Sequence, residues 1–368
     1  MKKIILLSVL SFVALTVLHG QSQYKSKYPD IPIVDVNFHP REPGHVTNAI
    51  KVSDAIKQKY GSNLAFWIGL DEVAEPAAMK VAAKNRILFA VNAGNAHLGF
   101  RMGGLTYTAD EVIEKVEDGY VGLNFWFGGP YRFVAGGEAG IKKIDDARLT
   151  QYFSKLEKAN VLMTSLHIAD PNPSYTDRQG LKPQTSATLG RVQSSMAGDT
   201  VMYDPVYFWG QIMAFKNLLD KYPKLTVVAA HGAWLVCQEA QLDYLRYLLS
   251  ACPNLYIDIS ATCQYMHLLN RDNIRDFYIE YQDRLIFGTN GGAVDNQSIE
   301  SYADRYARFF ALLETDQVVN GGFFGNMPTK GLDLPKAVLE KIYYKNAVIV
   351  YPGLKEAMGI QWQLLYSL

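Results

Sequence analysis

The chain has 368 residues, nearly half of them apolar, with 36 lysines and arginines against 36 aspartates and glutamates. That balance leaves no excess of basic surface for nucleic acid, whose phosphates would demand one. Small-molecule chemistry is the expectation, and a homo-oligomer is compatible with it.

The first 20 residues come first. Lys2 and Lys3 precede an apolar run from Ile4 to Leu18 and a small residue at Gly20, the layout of a secretory signal peptide. The run falls short of the roughly 20 apolar residues of a membrane span, and no cysteine stands nearby to carry a lipid anchor. Residues 21–368 are therefore expected as a periplasmic or secreted protein with no membrane span.

Eight short apolar runs follow, at 31–37 (IPIVDVN), 64–68 (LAFWI), 87–92 (ILFAVN), 120–127 (YVGLNFWF), 161–168 (VLMTSLHI), 226–231 (TVVAAH), 255–260 (LYIDIS) and 285–290 (LIFGTN). Near-continuous apolar runs of this length read as parallel strands buried on both faces. Segments of helical character alternate with them, at 46–59, 75–84, 109–118, 146–159, 205–221, 238–250, 271–281 and 297–313. Eight such units close into a barrel without an edge, which predicts an α/β protein, a single-domain (β/α)8 TIM barrel over residues 21–368. An open doubly wound sheet would carry a glycine-rich phosphate turn after the first strand, and NFHPREPG at 37–44 is not one. The long connection 169–204 has the character of a lid or binding loop. Cys237, Cys252 and Cys263 cannot all pair within the chain and are expected as buried thiols.

Barrels of this type place function at the carboxyl ends of the strands, and there the polar residues gather. Strand one ends in Asn37, Phe38 and His39, strand four carries Asn124, and strand five ends in His167. Strand six stops at His231, strand seven carries Asp258, and strand eight stops at Asn290. Asn37 and His39 are two apart, so their side chains leave an extended strand from one face. Trp67, Phe125, Trp126, Phe127, Tyr131, Trp209 and Trp234 crowd the same region as packing groups or as stacking platforms for a ring. Arg101 and Arg132, in loops after strands three and four, are candidates to clamp a carboxylate.

These landmarks, together with SLHIADP at 165–171, YPKLTVVAAHGAW at 222–234, RLIFGTNGG at 284–292 and LPKAVLEKIYYKNAVIVY at 334–351, resemble the amidohydrolase-related barrel hydrolases and decarboxylases grouped as amidohydrolase 2. The resemblance implies a divalent metal held by His-x-His on strand one, a histidine on strand five and an aspartate on strand eight. His39, His167 and His231 match. Asn37 stands where the first histidine would be and Asn290 where the aspartate would be, so the metal-ligand positions are degenerate; Asn124 lies where some relatives have a lysine.

Asparagine offers a neutral carbonyl oxygen in place of a charged ligand or a general base. A weak zinc site from His39, His167 and His231 is still open to such a set. The expected catalytic residues are His39, His167, His231 and Asn290, with His167 or His231 as base; Asn37, Asn124, Arg101, Arg132 and Trp234 are the expected substrate contacts. The chemistry expected is hydrolysis of a lactone or another ester or amide bond with weak or no metal dependence. The alternatives are a metal-assisted decarboxylase on the same barrel and an inactive barrel that binds a small molecule.

Overall fold

The structure, a computed structural model, describes residues 24–70, 75–92, 107–126, 143–169, 205–292, 298–320 and 328–359. Its barrel strands are β1 (Pro32–Phe38), β2 (Asn63–Gly69), β3 (Ile87–Phe89), β4 (Val91–Asn92), β5 (Leu123–Trp126), β6 (Met163–His167), β7 (Val227–Ala229), β8 (Leu255–Asp258) and β9 (Leu285–Ile286), and a separate antiparallel pair joins Val318–Val319 to Thr329–Lys330. The eight helices between them are α1 (Pro43–Tyr60), α2 (Pro76–Ala82), α3 (Ala109–Glu117), α4 (Thr150–Lys158), α5 (Pro205–Lys221), α6 (Glu239–Ala251), α7 (Arg271–Glu280) and α8 (Ile299–Glu314). Each barrel strand and each of these helices falls on a segment the sequence marks as strand or helix.

The barrel strands pair in parallel, in the orders β1-β2-β3 and β4-β5-β6-β7-β8-β9. β3 and β4 are halves of one stave interrupted at Ala90: the Ala90 N–H donates to Gly69 and the Val91 N–H to Gly122. The ring is completed where the Val36 N–H donates to the Phe287 carbonyl at 3.1 Å and the His39 N–H to Gly291 at 2.7 Å, with a parallel bridge between Phe38 and Gly291. The result is a (β/α)8 barrel of eight staves.

Local chemistry explains the elements. α1 buries Val46, Ala49, Ile50, Ser53 and Ile56 at helical spacing and stops at Gly61, whose φ of 76° suits the left-handed cap that glycine adopts without strain. α3 starts in a capping box, Thr108 and Glu111 each bonding the other's backbone N–H. The stave expected from residue 120 begins only at Leu123, because Gly122 has φ 142° and a Cβ there would sit 2.3 Å from the Leu162 carbonyl oxygen. Only glycine lets the two strands approach so closely.

The core has two layers. Outward residues such as Ile33, Leu64, Trp67, Leu123 and Leu166 pack with the helices. Inward residues, Val34, Val36, Phe66, Ile68, Val228 and Ile286, form a smaller cluster with Val348, Tyr351 and Leu354. Those last three belong to a helical run beyond the eight units, Lys336–Val350 with a π-helical turn at Lys341–Lys345, followed by Leu354–Ala357. The Tyr351 hydroxyl donates to the Thr164 carbonyl at 2.8 Å, so this appendage seals the barrel interior. Cys237, Cys252 and Cys263 are buried free thiols.

Asp35 fastens the seam between the first and last staves. It is fully buried and accepts from the Asn37 N–H at 3.1 Å, the Thr289 N–H at 3.0 Å, the Thr289 hydroxyl and the Tyr306 hydroxyl at 2.6 Å. Burial raises its pKa from 3.8 to about 6 against the opposing pull of those donors. A carboxyl whose pKa is higher folded than unfolded binds its proton more tightly in the native state, so its contribution to stability is complete below about pH 4 and is lost as pH rises through 6. Chemical denaturation from pH 4 to 7 should therefore show wild type losing stability relative to Asp35→Asn as pH rises; parallel curves for the two would contradict this.

Candidate active site

The site is built on three strand ends. Asp258, the last residue of β8, is completely buried, and among the described residues no lysine or arginine pairs with it. Four neutral donors do so instead: the Asn37 amide at 3.0 Å, the His231 N–H at 3.1 Å, the Ser260 N–H at 2.9 Å and the Ser260 hydroxyl. A buried carboxylate tolerates burial only when its oxygens are so occupied.

The His231 N–H in that set belongs to an unusual turn. The strand expected to reach His231 ends at Ala229, and His231 (φ 56°), Gly232 (59°), Ala233 (52°) and Trp234 (57°) form a left-handed turn. Each non-glycine residue there costs about 1–2 kcal/mol. What the turn achieves is placement: Trp234 folds back onto His231 with ring centroids 4.4 Å apart, and also meets Tyr265 edge-on at 5.8 Å. The His167 ring lies 5.2 Å from His231 and 6.0 Å from Trp234.

Hydrogen-bond partners fix the imidazole protons. His231 Nδ1 faces the Ser260 carbonyl at 3.0 Å and its hydroxyl oxygen at 2.8 Å. The hydroxyl hydrogen is already given to Asp258, so both oxygens can only accept, Nδ1 carries the proton, and the lone pair of neutral His231 is on Nε2. The Trp234 indole N–H donates to His167 Nε2 at 3.2 Å; that nitrogen must be unprotonated, and His167 is neutral with its proton on Nδ1. His39 Nε2 lies 3.0 Å from the Asn37 amide oxygen. Because the Asn37 NH2 is committed to Asp258, that oxygen accepts and His39 Nε2 is the donor.

The structure thus brings together His39, Asn37, His231, His167 and Trp234. Asn290 joins them through the backbone: it adopts φ 57° between Thr289, which Asp35 holds, and Gly291, which accepts the His39 N–H. Asn124 is turned elsewhere, its amide donating to the Leu70 carbonyl at 2.9 Å. Of the aromatics, Trp67 packs in the outer layer against Phe38, Phe125 packs there against Tyr152 and Phe153, and Trp209 stacks edge-on with Tyr244. Arg101, Arg132 and the connection 170–204 lie outside the described residues. Asp35 and Ser260 carry the site without having been singled out as functional. The signal for Asp35 and Asp258 is a charge set inside a strand buried on both faces, which must have donors waiting for it.

The donor set does not suit a divalent metal of the kind the resemblance implies. His39 Nε2 bears a proton, His167 Nε2 already accepts one, and the carboxylate nearest them has its oxygens occupied. Among the described residues, no three histidine, cysteine, aspartate or glutamate side chains are disposed to hold an ion, and the trio His39, His167 and His231 is no exception.

A (β/α)8 barrel with ionisable and amide side chains gathered at its strand ends is the arrangement in which such barrels place their functional sites. A sequence model of the amidohydrolase family matches residues 98–353, and the chain belongs to that family. Among solved structures, an uncharacterized TIM-barrel protein from Bordetella bronchiseptica is similar at 15% identity, over 89% of this chain and 99% of that one, with a TM-score of 0.48. IDCase from Metarhizium anisopliae in its apo form is similar at 14% identity, over 83% of this chain and 78% of that one, with a TM-score of 0.42. An amidohydrolase from Burkholderia multivorans with bound zinc is similar at 12% identity, over 86% of this chain and 99% of that one, with a TM-score of 0.40. A search of curated proteins gave no match.

If Asp258 organises the site as described, Asp258→Ala strands four buried donors and should lower stability by about 3 kcal/mol in urea denaturation. A loss below about 0.5 kcal/mol, the range of ordinary surface changes, would contradict that role.

Proposed function

We propose that the protein is a hydrolase of small-molecule lactones or comparable activated esters that works without a tightly bound metal, with His231 as general base. The observation that carries this reading is the Asp258–Ser260–His231 chain of hydrogen bonds. It pins the Nδ1 proton, leaves the Nε2 lone pair as the proton acceptor and supports the imidazolium that forms when that nitrogen takes a proton. Water attacks the substrate carbonyl carbon as His231 Nε2 takes its proton. Collapse of the tetrahedral intermediate breaks the ring C–O bond, and the same proton passes to the departing oxygen, giving a hydroxy acid.

Oxyanion stabilisation narrows to Asn290. Three asparagines are candidates from sequence; Asn37 and Asn124 each give an amide hydrogen, to Asp258 and Leu70 respectively, which makes those residues braces first. A lactone suits this equipment better than an amide, because the poorer electrophile needs stronger activation than a neutral carboxamide supplies. The test is a panel of lactones and nitrophenyl esters assayed with chelator-treated protein. Turnover should survive chelation, and His231→Ala should lower kcat/KM by at least about 100-fold. Turnover that appears only on adding zinc, or none with any ester, would reject the reading.

We also propose export to the periplasm or medium, with removal of residues 1–20. Support comes from the segment just beyond. The Ser26 hydroxyl and the Lys27 N–H donate to Glu314 at 2.9 and 3.2 Å, the Lys27 ammonium pairs with Asp333 at 2.7 Å, and the Tyr24 and Ser62 hydroxyls are 3.2 Å apart. Cleavage at Gly20 leaves these contacts whole. Amino-terminal sequencing of the exported protein should give a start between Gln21 and Tyr24; a start beyond Lys27, or retention of Met1, would refute the proposal.

A further inference from the structure

We infer that this barrel end is closed to divalent cations by its own hydrogen bonds, and that Trp234 is the latch: its indole N–H occupies the His167 nitrogen an ion would need. Three observations converge. The Trp234 N–H donates to His167 Nε2 at 3.2 Å, while His39 Nε2 gives its proton to the Asn37 oxygen at 3.0 Å. Ligation through either nitrogen must first break that bond, and at His39 it must also move the proton. Asp258, the carboxylate of the cluster, has both oxygens engaged by neutral donors. An ion could draw on His231 Nε2 for at most one neutral ligand, which falls far short of the three or four a zinc-like ion takes.

Trp234 holds this state because the left-handed turn leaves it little choice of position. Its ring is trapped between His231 at 4.4 Å and Tyr265 at 5.8 Å, and it is buried. The indole N–H is therefore presented to His167 by packing. Phenylalanine at 234 keeps an aromatic ring in that place and deletes only the donor, whereas Asn37 cannot be changed without also disturbing Asp258.

Two measurements test this, neither of which reads ester hydrolysis, so failure here is separable from failure of the proposed reaction. Nitrogen NMR of histidine-labelled wild type at neutral pH should show His167 Nε2 unprotonated, with His39 Nε2 and His231 Nδ1 protonated. Cobalt(II) titration of chelator-treated protein should give no stoichiometric uptake at micromolar metal by wild type, and at least about tenfold tighter binding by Trp234→Phe, the worth of one buried hydrogen bond. Stoichiometric cobalt in wild type overturns the inference, as does a protonated His167 Nε2 or a Trp234→Phe affinity equal to wild type. Should that variant fail to fold, the wild-type spectrum and titration decide alone.

Discussion

A buried carboxylate held by neutral donors sets the terms for the strand ends. Asp258 reaches its four donors only if stave one bends Asn37 inward, stave seven turns at Ser260, and the chain after stave six brings back the His231 N–H. The last requirement explains the left-handed turn at 231–234. Its intrinsic cost is several kcal/mol, and a backbone N–H given to a buried carboxylate is one of the few single interactions large enough to offset much of it. Strain, in this barrel, is tied to the residues that meet the reacting region.

The same device recurs at the seam. Asp35 and Asp258 each accept an N–H from the residue two positions on, Asn37 in one case and Ser260 in the other. This local turn lets a strand leave the sheet with its polar groups satisfied. Asn37 lies between them, its backbone bound to Asp35 and its amide to Asp258. One neutral side chain thereby couples barrel closure to the position of His39. An aspartate at 37 would set a second carboxylate against Asp258 where Asn37 supplies a donor, so the asparagine is electrostatically fitted to its surroundings as well as sterically.

The architecture was legible because parallel strands buried on both faces leave long apolar runs, and the helices between them leave a 3.6-residue rhythm. That His167 and His231 stand side by side agrees with their places at or just beyond strand ends. Other features could not. Nothing in HGAW announces four left-handed residues, since only one of them is glycine; tertiary bonds to Asp258 and Tyr265 decide that conformation. The bracing roles of Asn37 and Asn124 were equally hidden, because what a carboxamide does depends on what stands opposite it. The helices after residue 335 escaped the eightfold count, which treats anything beyond the eighth unit as tail, although Tyr351 and Leu354 complete the inner core.

Charge balance ties these observations into one argument. A strand-end surface meant for a divalent cation needs anionic ligands held ready, and hence acidic side chains left unsatisfied until the ion arrives. Here Asp35 and Asp258 are saturated by amides, hydroxyls and backbone N–H groups. Asparagine occupies positions 37 and 290, and His167 is held neutral by an indole. Each of these choices removes charge from the site, and each would be unfavourable if the others were reversed. An aspartate at 290 would face a site with no cation to pair with it among the described residues, and an imidazolium at 37 would have no acceptor for His39. The bonding of these residues is thus a property of the whole network, set first by the need to bury Asp258 among neutral donors.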